Sequence, residues 1–163
     1  MKHTFAVLVE NSPGVLSKVA GLFSRRGFNI ESLVVSETED SSTSRMTIVV
    51  EGDNRVLEQV GKQLNKQVDV IKVNDITNEE TVERQLCLIR VSADQSTRQE
   101  VLQITEVFRC RVVDIGRKSL IVEATGDEAK MQAIIRSLWP FGIMELVRTG
   151  KVAMVRGERN KGK

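Results

Sequence analysis

The residues of greatest chemical interest lie at one junction near the start of the chain, where a short apolar segment gives way to an amphipathic one. The junction reads Asn11-Ser12-Pro13-Gly14. It is typical of a turn that begins a helix, because Asn or Ser can cap and Pro sacrifices no hydrogen bond there. The backbone N–H groups around Gly14, Val15 and Leu16 then lack partners within the helix and lie at the positive end of its dipole. They predict an anion-binding site, where a carboxylate gains roughly 0.3–1 kcal/mol, and up to ~2 kcal/mol when partly buried.

A second set of residues can complete this site. Asn11 lies at its mouth, and Asn29 begins the strand predicted after the helix. The amide of Asn29 both donates and accepts hydrogen bonds, which suits the two charged groups of a small zwitterion, and Ile30 and Leu16 offer an apolar wall. The candidate binding site therefore comprises Asn11, Gly14, Val15, Leu16, Asn29 and Ile30. One alternative stays open, since the same residues also form an ordinary capping turn and helix-to-strand link that bind nothing.

No other group of residues has the spacing of a catalytic or metal site. The single histidine, His3, is expected at a frayed terminus, where a catalytic base would be poorly held. The two cysteines, Cys87 and Cys110, lack metal-site spacing and are interpreted as small core or rim residues. The chain has no glycine-rich phosphate loop of the P-loop type. We therefore expect no catalytic residue and no metal ion on this chain.

The composition argues against several classes of protein. Hydrophobic residues make up 40% of the 163 residues and charged residues 28%, which is typical of a folded, water-soluble chain. A net charge of +2 gives no strong field toward nucleic acid or an anionic membrane. The longest apolar runs are much shorter than the ~20 residues of a membrane helix, and the N-terminus lacks the apolar core of a signal peptide. A cytoplasmic location is expected.

The chain is organised as one unit repeated. In the first half, apolar periodicity predicts strands at 4–10, 28–38, 46–50 and 68–73, with helices after the first and third strands. The second half repeats this order, with strands at 86–91, 111–115, 120–124 and 143–147. Each half matches the ferredoxin-like pattern, in which two helices cover one face of a four-stranded antiparallel sheet. The fold class is therefore α+β, with two ferredoxin-like βαββαβ domains in tandem.

The domain boundaries follow from this repeat. The first domain is assigned to 1–76, a polar linker to 77–83, and the second domain with a basic tail to 84–163. The tail is interpreted as solvated; its basic residues are Lys151, Arg156, Arg159, Lys161 and Lys163. In the usual strand order of this fold the second strand lies at a sheet edge. Because Leu33-Val34-Val35 is apolar on both faces, this edge predicts dimerisation.

Three segments of the first half carry a resemblance to a known family. They read ENSPGVL at 10–16, LFSRRGFNIESL at 22–33 and SRMTI at 44–48. Together they strongly resemble the small regulatory subunits of acetohydroxyacid synthase (AHAS), also called acetolactate synthase. The N-x-x-G-x-L and R-G-F/Y-N-I elements belong to the ACT domains of this subfamily. The match continues through the second helix and residues 82–84, and the second half resembles the C-terminal domain of the family with weaker local signatures.

The resemblance implies a function that residue spacing alone does not show. In this family the small subunit binds the catalytic large subunit, raises its activity and makes it sensitive to branched-chain amino acids, usually valine. The large subunit carries thiamine diphosphate, Mg²⁺ and FAD and condenses pyruvate with a second 2-oxo acid. The effector binds between two ACT domains, at positions that match Asn11, Gly14, Val15, Leu16, Asn29 and Ile30. The resemblance thus implies a homodimer that binds a large subunit and holds no cofactor itself.

Two rival functions use the same fold. One is a free-standing ACT-domain amino-acid sensor that regulates another enzyme or transcription. The other is a pair of RNA-binding domains, because the RNA-recognition motif shares the strand order and stacks bases on sheet aromatics. Phe5 is the only aromatic residue on the predicted central strands, so RNA binding is disfavoured.

Overall fold

The computed structural model describes residues 1–157 and divides into two compact units. The first unit comprises Met1–Val82 together with the residues from Val152 onward, and the second comprises Glu83–Lys151. Each unit has its own sheet, its own two α-helices and its own main core. None of the helices within residues 1–157 is both long and apolar enough to cross a membrane.

The first unit follows the predicted order of elements. It consists of β1 (Lys2–Glu10), α1 (Val15–Ser24), β2 (Ile30–Glu37), β3 (Thr43–Glu51), α2 (Asn54–Leu64) and β4 (Val70–Asp75). The sheet order is β2-β3-β1-β4, and each neighbouring pair is antiparallel. The prediction that β2 lies at an edge is confirmed.

Side-chain alternation along β1 decides which face of this sheet is covered. Phe5, Val7 and Val9 are each 1% exposed or less, and they share a face because successive strand side chains alternate. Both helices lay their apolar stripes on that face; the buried helical residues are Val15, Val19, Leu22, Phe23, Leu57, Val60 and Leu64. Since Phe5 belongs to this core, the central strands present no aromatic platform for RNA bases.

The second unit repeats the architecture. It consists of β5 (Thr81–Ser92), whose first two residues belong to the first unit, α3 (Arg98–Val107), β6 (Arg111–Ile115), β7 (Ser119–Gly126), α4 (Glu128–Leu138), a 3-10 turn (Trp139–Phe141) and β8 (Ile143–Arg148). The strand order β6-β7-β5-β8 matches that of the first sheet. Its core contains Cys87, Ile89, Val91, Val101, Leu120, Val122, Met131, Ile134 and Leu138. The predicted tandem of two ferredoxin-like units is confirmed.

The residues after Lys151 depart from the prediction of a solvated tail. Val152–Val155 form a further strand, β9, which pairs with β5. Ala153 and Val155 pack with Ala6 and Ile76 of the first unit. The second compact unit comprises Glu83–Lys151, and Val152–Val155 belong to the first. Of the predicted basic tail, Arg159, Lys161 and Lys163 lie outside the described residues.

The N-terminus also differs from the prediction. Strand β1 begins at Lys2, and His3 is only 6% exposed, so the expectation of a frayed His3 is wrong. Its Nδ1 lies 3.0 Å from Asp75 Oδ2 and its Nε2 lies 2.8 Å from Asn54 Oδ1. Burial raises the pKa of Asp75, but hydrogen bonds from Thr77 and His3 outweigh it and leave that pKa below its ordinary value. This contact joins β1 to the end of β4.

Candidate functional site

The N-terminus of α1 is open to a ligand. Its N-cap residue is Gly14, in a left-handed conformation with φ +85°, and no side chain caps the helix. The prediction that Asn11 or Ser12 caps α1 is therefore wrong. A Cβ built on Gly14 would meet no atom within 4 Å, so the space beside this glycine is free. Glycine is favoured here because other residues adopt a positive φ only with strain.

The other three α-helices of the described chain each have an aspartate carboxylate at or just before the N-terminus. Asp53 before α2 and Asp127 before α4 each accept a hydrogen bond from a backbone N–H of the first turn, at 2.8 and 2.9 Å. Ahead of α3, the carboxylate of Asp94 accepts from two successive backbone N–H groups at 2.8 and 3.1 Å. These carboxylates offset the positive ends of their helices. Helix α1 has neither a side-chain cap nor an acidic residue in its first turn, so no carboxylate of its own competes with a bound anion for its first amides.

Asn11 is held beside this helix start by the β2–β3 hairpin. Its Nδ2 donates to Glu37 Oε1 at 3.1 Å and to the carbonyl oxygen of Ser41 at 2.9 Å, and its backbone N–H donates to the carbonyl of Ser42 at 2.8 Å. The amide hydrogens of Asn11 are thus committed to the protein. Asn11 is exposed, and its side-chain oxygen is a hydrogen-bond acceptor, the type of group that suits an ammonium.

Glu37 is a neighbour of the site that sequence reasoning missed. It is the last residue of β2 and pairs with Ser44, while Glu10 at the end of β1 pairs with Thr43. The shared pairing partner β3 therefore brings the end of β2 close to the start of the β1–α1 turn. The hairpin between β2 and β3 was the available signal, because it fixes this register.

The residues Val15 and Leu16 take different parts in the site. The Val15 side chain is 3% exposed and belongs to the core, and its backbone N–H donates a long hydrogen bond of 3.5 Å to the carbonyl oxygen of Ser12. The Leu16 side chain is 45% exposed and is available to contact an aliphatic ligand. These two residues lie with Asn11 and Gly14 at one end of the sheet.

Asn29 and Ile30 lie at the opposite end. Ile30 pairs with Val50, which in turn pairs with His3 near the start of β1. Strand β2 is 8 residues long, and at ~3.3 Å per residue its two ends are roughly 23 Å apart. Within one chain the structure therefore does not bring the two halves of the predicted site together.

Strand β2 lies at an edge of its sheet, so a second copy paired with it would join the two halves. An antiparallel pairing of β2 with β2 of a second copy, centred near Leu33 and Val34, would reverse the direction of one strand relative to the other. Asn29 and Ile30 of the second copy would then lie level with Asn11 and Glu37. Val35 on this edge is 38% exposed, so such a contact would also cover apolar surface.

The two cysteines and the one concavity described below do not resemble a catalytic or effector site. Burial raises the pKa of both the Cys87 and Cys110 thiols, as expected of small core or rim residues. Within residues 1–157 no group of three or more His, Cys, Asp or Glu side chains is placed to hold a metal ion. A concavity of about 480 Å³ in the second unit lies between α3, the end of α4 and the 3-10 turn that follows α4, and its apolar lining includes Val107, Phe108 and Phe141. It has no cationic lining residue and so offers no charge to a carboxylate.

Comparison with family models accounts for nearly the whole described chain. Residues 5–72 match the model of the AHAS small subunit-like ACT domain. Residues 84–157 match a model described as small subunit of acetolactate synthase. The two matches coincide with the two sheets described above.

Similar proteins agree with these models. The chain is 62% identical to a probable acetolactate synthase small subunit of Archaeoglobus fulgidus, over 98% of this chain and 99% of the relative. It is 51% identical to the acetolactate synthase small subunit of Mycobacterium bovis, over 98% and 95% of the two chains. The crystal structure of the acetolactate synthase small subunit from Thermotoga maritima superposes with a TM-score of 0.88 at 43% identity, over 97% of this chain and 99% of that one.

Proposed function

This chain belongs to the family of acetolactate synthase small subunits, and from that membership we propose that it activates the catalytic large subunit and transmits feedback inhibition by a branched-chain amino acid. Valine is the proposed effector. The large subunit is the proposed partner and the carrier of thiamine diphosphate, Mg²⁺ and FAD. This chain supplies regulation and none of the chemistry of condensation.

The observation that carries the proposed site is the open N-terminus of α1. Its amides beyond Gly14 are free of any side-chain carboxylate, whereas the other three α-helices of the described chain each have one at their start. The effector carboxylate lies on these amides. Its ammonium is shared between Asn29 of a second copy and nearby carbonyl oxygens, and its aliphatic side chain lies against Leu16 and Ile30.

Feedback inhibition results because each effector site is formed by residues from two copies of the chain. Because the two halves lie at opposite ends of β2 in each chain, the effector bridges a homodimer and favours one arrangement of it. That arrangement holds the large subunit in a less active state. Coupling of about 1–3 kcal/mol is enough for feedback of this kind, provided that the effector binds the two arrangements with different affinities.

The decisive variant is Gly14→Asp, with Gly14→Asn as its matched control. Both side chains tolerate a left-handed backbone better than most and have open space around them, so the two variants differ mainly in charge. The aspartate carboxylate would occupy the place of the effector carboxylate. We expect G14D to lose valine inhibition and keep activation of the large subunit, while G14N keeps activation and part of the valine inhibition.

The measurement is acetolactate synthase activity of the reconstituted holoenzyme with and without valine, preceded by calorimetric titration of the isolated chain with valine, leucine and isoleucine. Undiminished valine inhibition in G14D would remove the site assignment. A failure to raise the activity of any large subunit would instead favour a free-standing amino-acid sensor.

A further inference from the structure

The second unit has an exposed edge that occupies the same position in its sheet as β2 does in the first. Strand β6 ends the order β6-β7-β5-β8. Val113 is 50% exposed and Ile115 is 66% exposed. The strand Arg111–Ile115 contains neither the lysine nor the proline that often protects an edge from pairing.

A bulge places the two charges of this edge on one face. Arg111 pairs with Glu123 and Asp114 pairs with Ile121, with the register shift between Val112 and Asp114. Without the extra residue, side chains three apart would point to opposite faces. With it, Arg111 and Asp114 share the face of the sheet that the helices leave uncovered, because Leu120 and Val122 take the helix side. Neither charge has an ion pair within residues 1–157.

The other edge of the same sheet, β8, differs in this respect. Glu145 lies 3.5 Å from Arg90, and Arg148 lies 2.6 Å from Glu128. The charges of β8 are therefore paired inside the chain, whereas those of β6 are available to a partner. This contrast points to β6 as the interacting edge of the second unit.

We propose that β6 is a self-association surface, at which the β6 strands of two copies of this chain pair antiparallel about a two-fold axis between Val112 and Val113. The arrangement is self-complementary. Arg111 of each copy lies opposite Asp114 of the other, so the two-fold axis produces two equivalent ion pairs. Val112 lies opposite Val113, and Ile115 lies opposite Cys110. This contact uses only the second unit and does not depend on effector binding.

The register can be tested by cross-linking, because it places Ile115 opposite the native Cys110. Residues opposite each other in an antiparallel pair have Cα atoms about 4.5–5.5 Å apart, within the range that a disulfide spans. The full-length variant Ile115→Cys is expected to form a disulfide-linked dimer under mild oxidation. The variant I115C/C110S should form none, since two cysteines at position 115 are far apart in this register.

Charge reversal tests the complementarity. In the I115C background, Asp114→Arg or Arg111→Asp sets like charges opposite each other and should slow cross-linking about tenfold. The double variant R111D/D114R is again self-complementary and should restore the rate. If the single variants cross-linked slowly because they were misfolded, the double variant would cross-link slowly as well. Recovery of the cross-linking rate in the double variant therefore excludes a folding defect as the cause.

The control is Val147→Cys on β8, a 53% exposed position on the opposite edge. It should cross-link no faster than random collision allows, as judged on a non-reducing gel across a dilution series. Absence of the I115C dimer, or cross-linking that ignores the single charge reversals, would overturn the proposal.

Discussion

At the scale of the residue, the proposed regulatory function depends on a few unneutralised polar groups. The amides after Gly14 have no side-chain cap, and the hydrogens of the Asn11 amide are bound by Glu37 and Ser41. Asn29, in contrast, is exposed and immediately precedes β2. Single substitutions there can change effector binding with little effect on the fold, since no core contact is lost.

Asn29→Ala is expected to lower valine affinity by about 10- to 100-fold, the usual effect of losing a hydrogen bond to a charged group. The loss should be smaller for 3-methylbutanoate, which is valine without its ammonium group. Calorimetric titration of both ligands measures the difference. Asn65→Ala, at the exposed C-cap of α2, is the matched control and should leave both affinities unchanged. Equal losses for the two ligands would contradict the assignment of Asn29 to the ammonium.

The contact of Asp75 with His3 predicts a defined pH dependence of stability. The pKa of Asp75 lies below its ordinary value of 3.8, so the folded state favours the carboxylate. This stabilisation is present above the ordinary pKa and is lost as the pH falls through the lowered value. Asp75→Asn should therefore unfold at a lower temperature than wild type at neutral pH, and the gap should close below about pH 4. Thermal unfolding across pH 2–7 measures it; a gap that widens in acid would be the contrary result.

At the scale of the element, edge strands decide what this protein can associate with. Strands β2 and β6 occupy equivalent edges of their sheets and expose valine or isoleucine side chains. Strand β4, at the other edge of the first sheet, contains the exposed Lys72, a residue type that discourages pairing. We therefore propose that the first unit pairs with a second copy through the edge that carries Asn29 and Glu37.

Val35→Lys on β2 is expected to weaken valine binding at least tenfold, because a lysine on this edge disfavours strand pairing and withdraws the second copy's Asn29. Valine affinity is the appropriate measurement, since β6 provides a separate contact that can hold copies together. Ile71→Lys on β4, where Ile71 is 51% exposed, is the control and should bind valine normally. Unchanged affinity in V35K would mean that one chain contains the complete site.

At the scale of the whole molecule, the chain returns to its first unit after completing the second. Strand β9 places Ala153 and Val155 against Ala6 and Ile76, and Arg45 Nη2 donates to the carbonyl oxygen of Ala153 at 2.8 Å. Ala6 lies on the face of the first sheet that the helices do not cover, since Phe5 and Val7 take the helix side. Strand β9, near the end of the described chain, therefore packs against β1, the first strand of the chain.

Removal of β9 should destabilise the first unit. A chain truncated after Lys151 uncovers Ala6 and Ile76 and leaves the Arg45 guanidinium without its contact to Ala153. We expect a loss of about 1–2 kcal/mol, or roughly 3–6 °C in Tm. A chain truncated after Gly157 keeps β9 and is the control. Calorimetry of both chains compares them, and equal Tm values would show that β9 contributes no stability.

The sequence by itself determined the order of elements and the tandem ferredoxin-like architecture, and it predicted an anion-binding site at the turn of Gly14. These features depend on interactions among residues close together in the chain, such as the periodicity of apolar residues and the capping of a helix. The tertiary structure alone decided that His3 is buried, that Glu37 holds Asn11, that β9 belongs to the first unit, and that Asn11 and Asn29 lie at opposite ends of β2. Each of these depends on strand register between distant segments, which no local pattern of residues specifies.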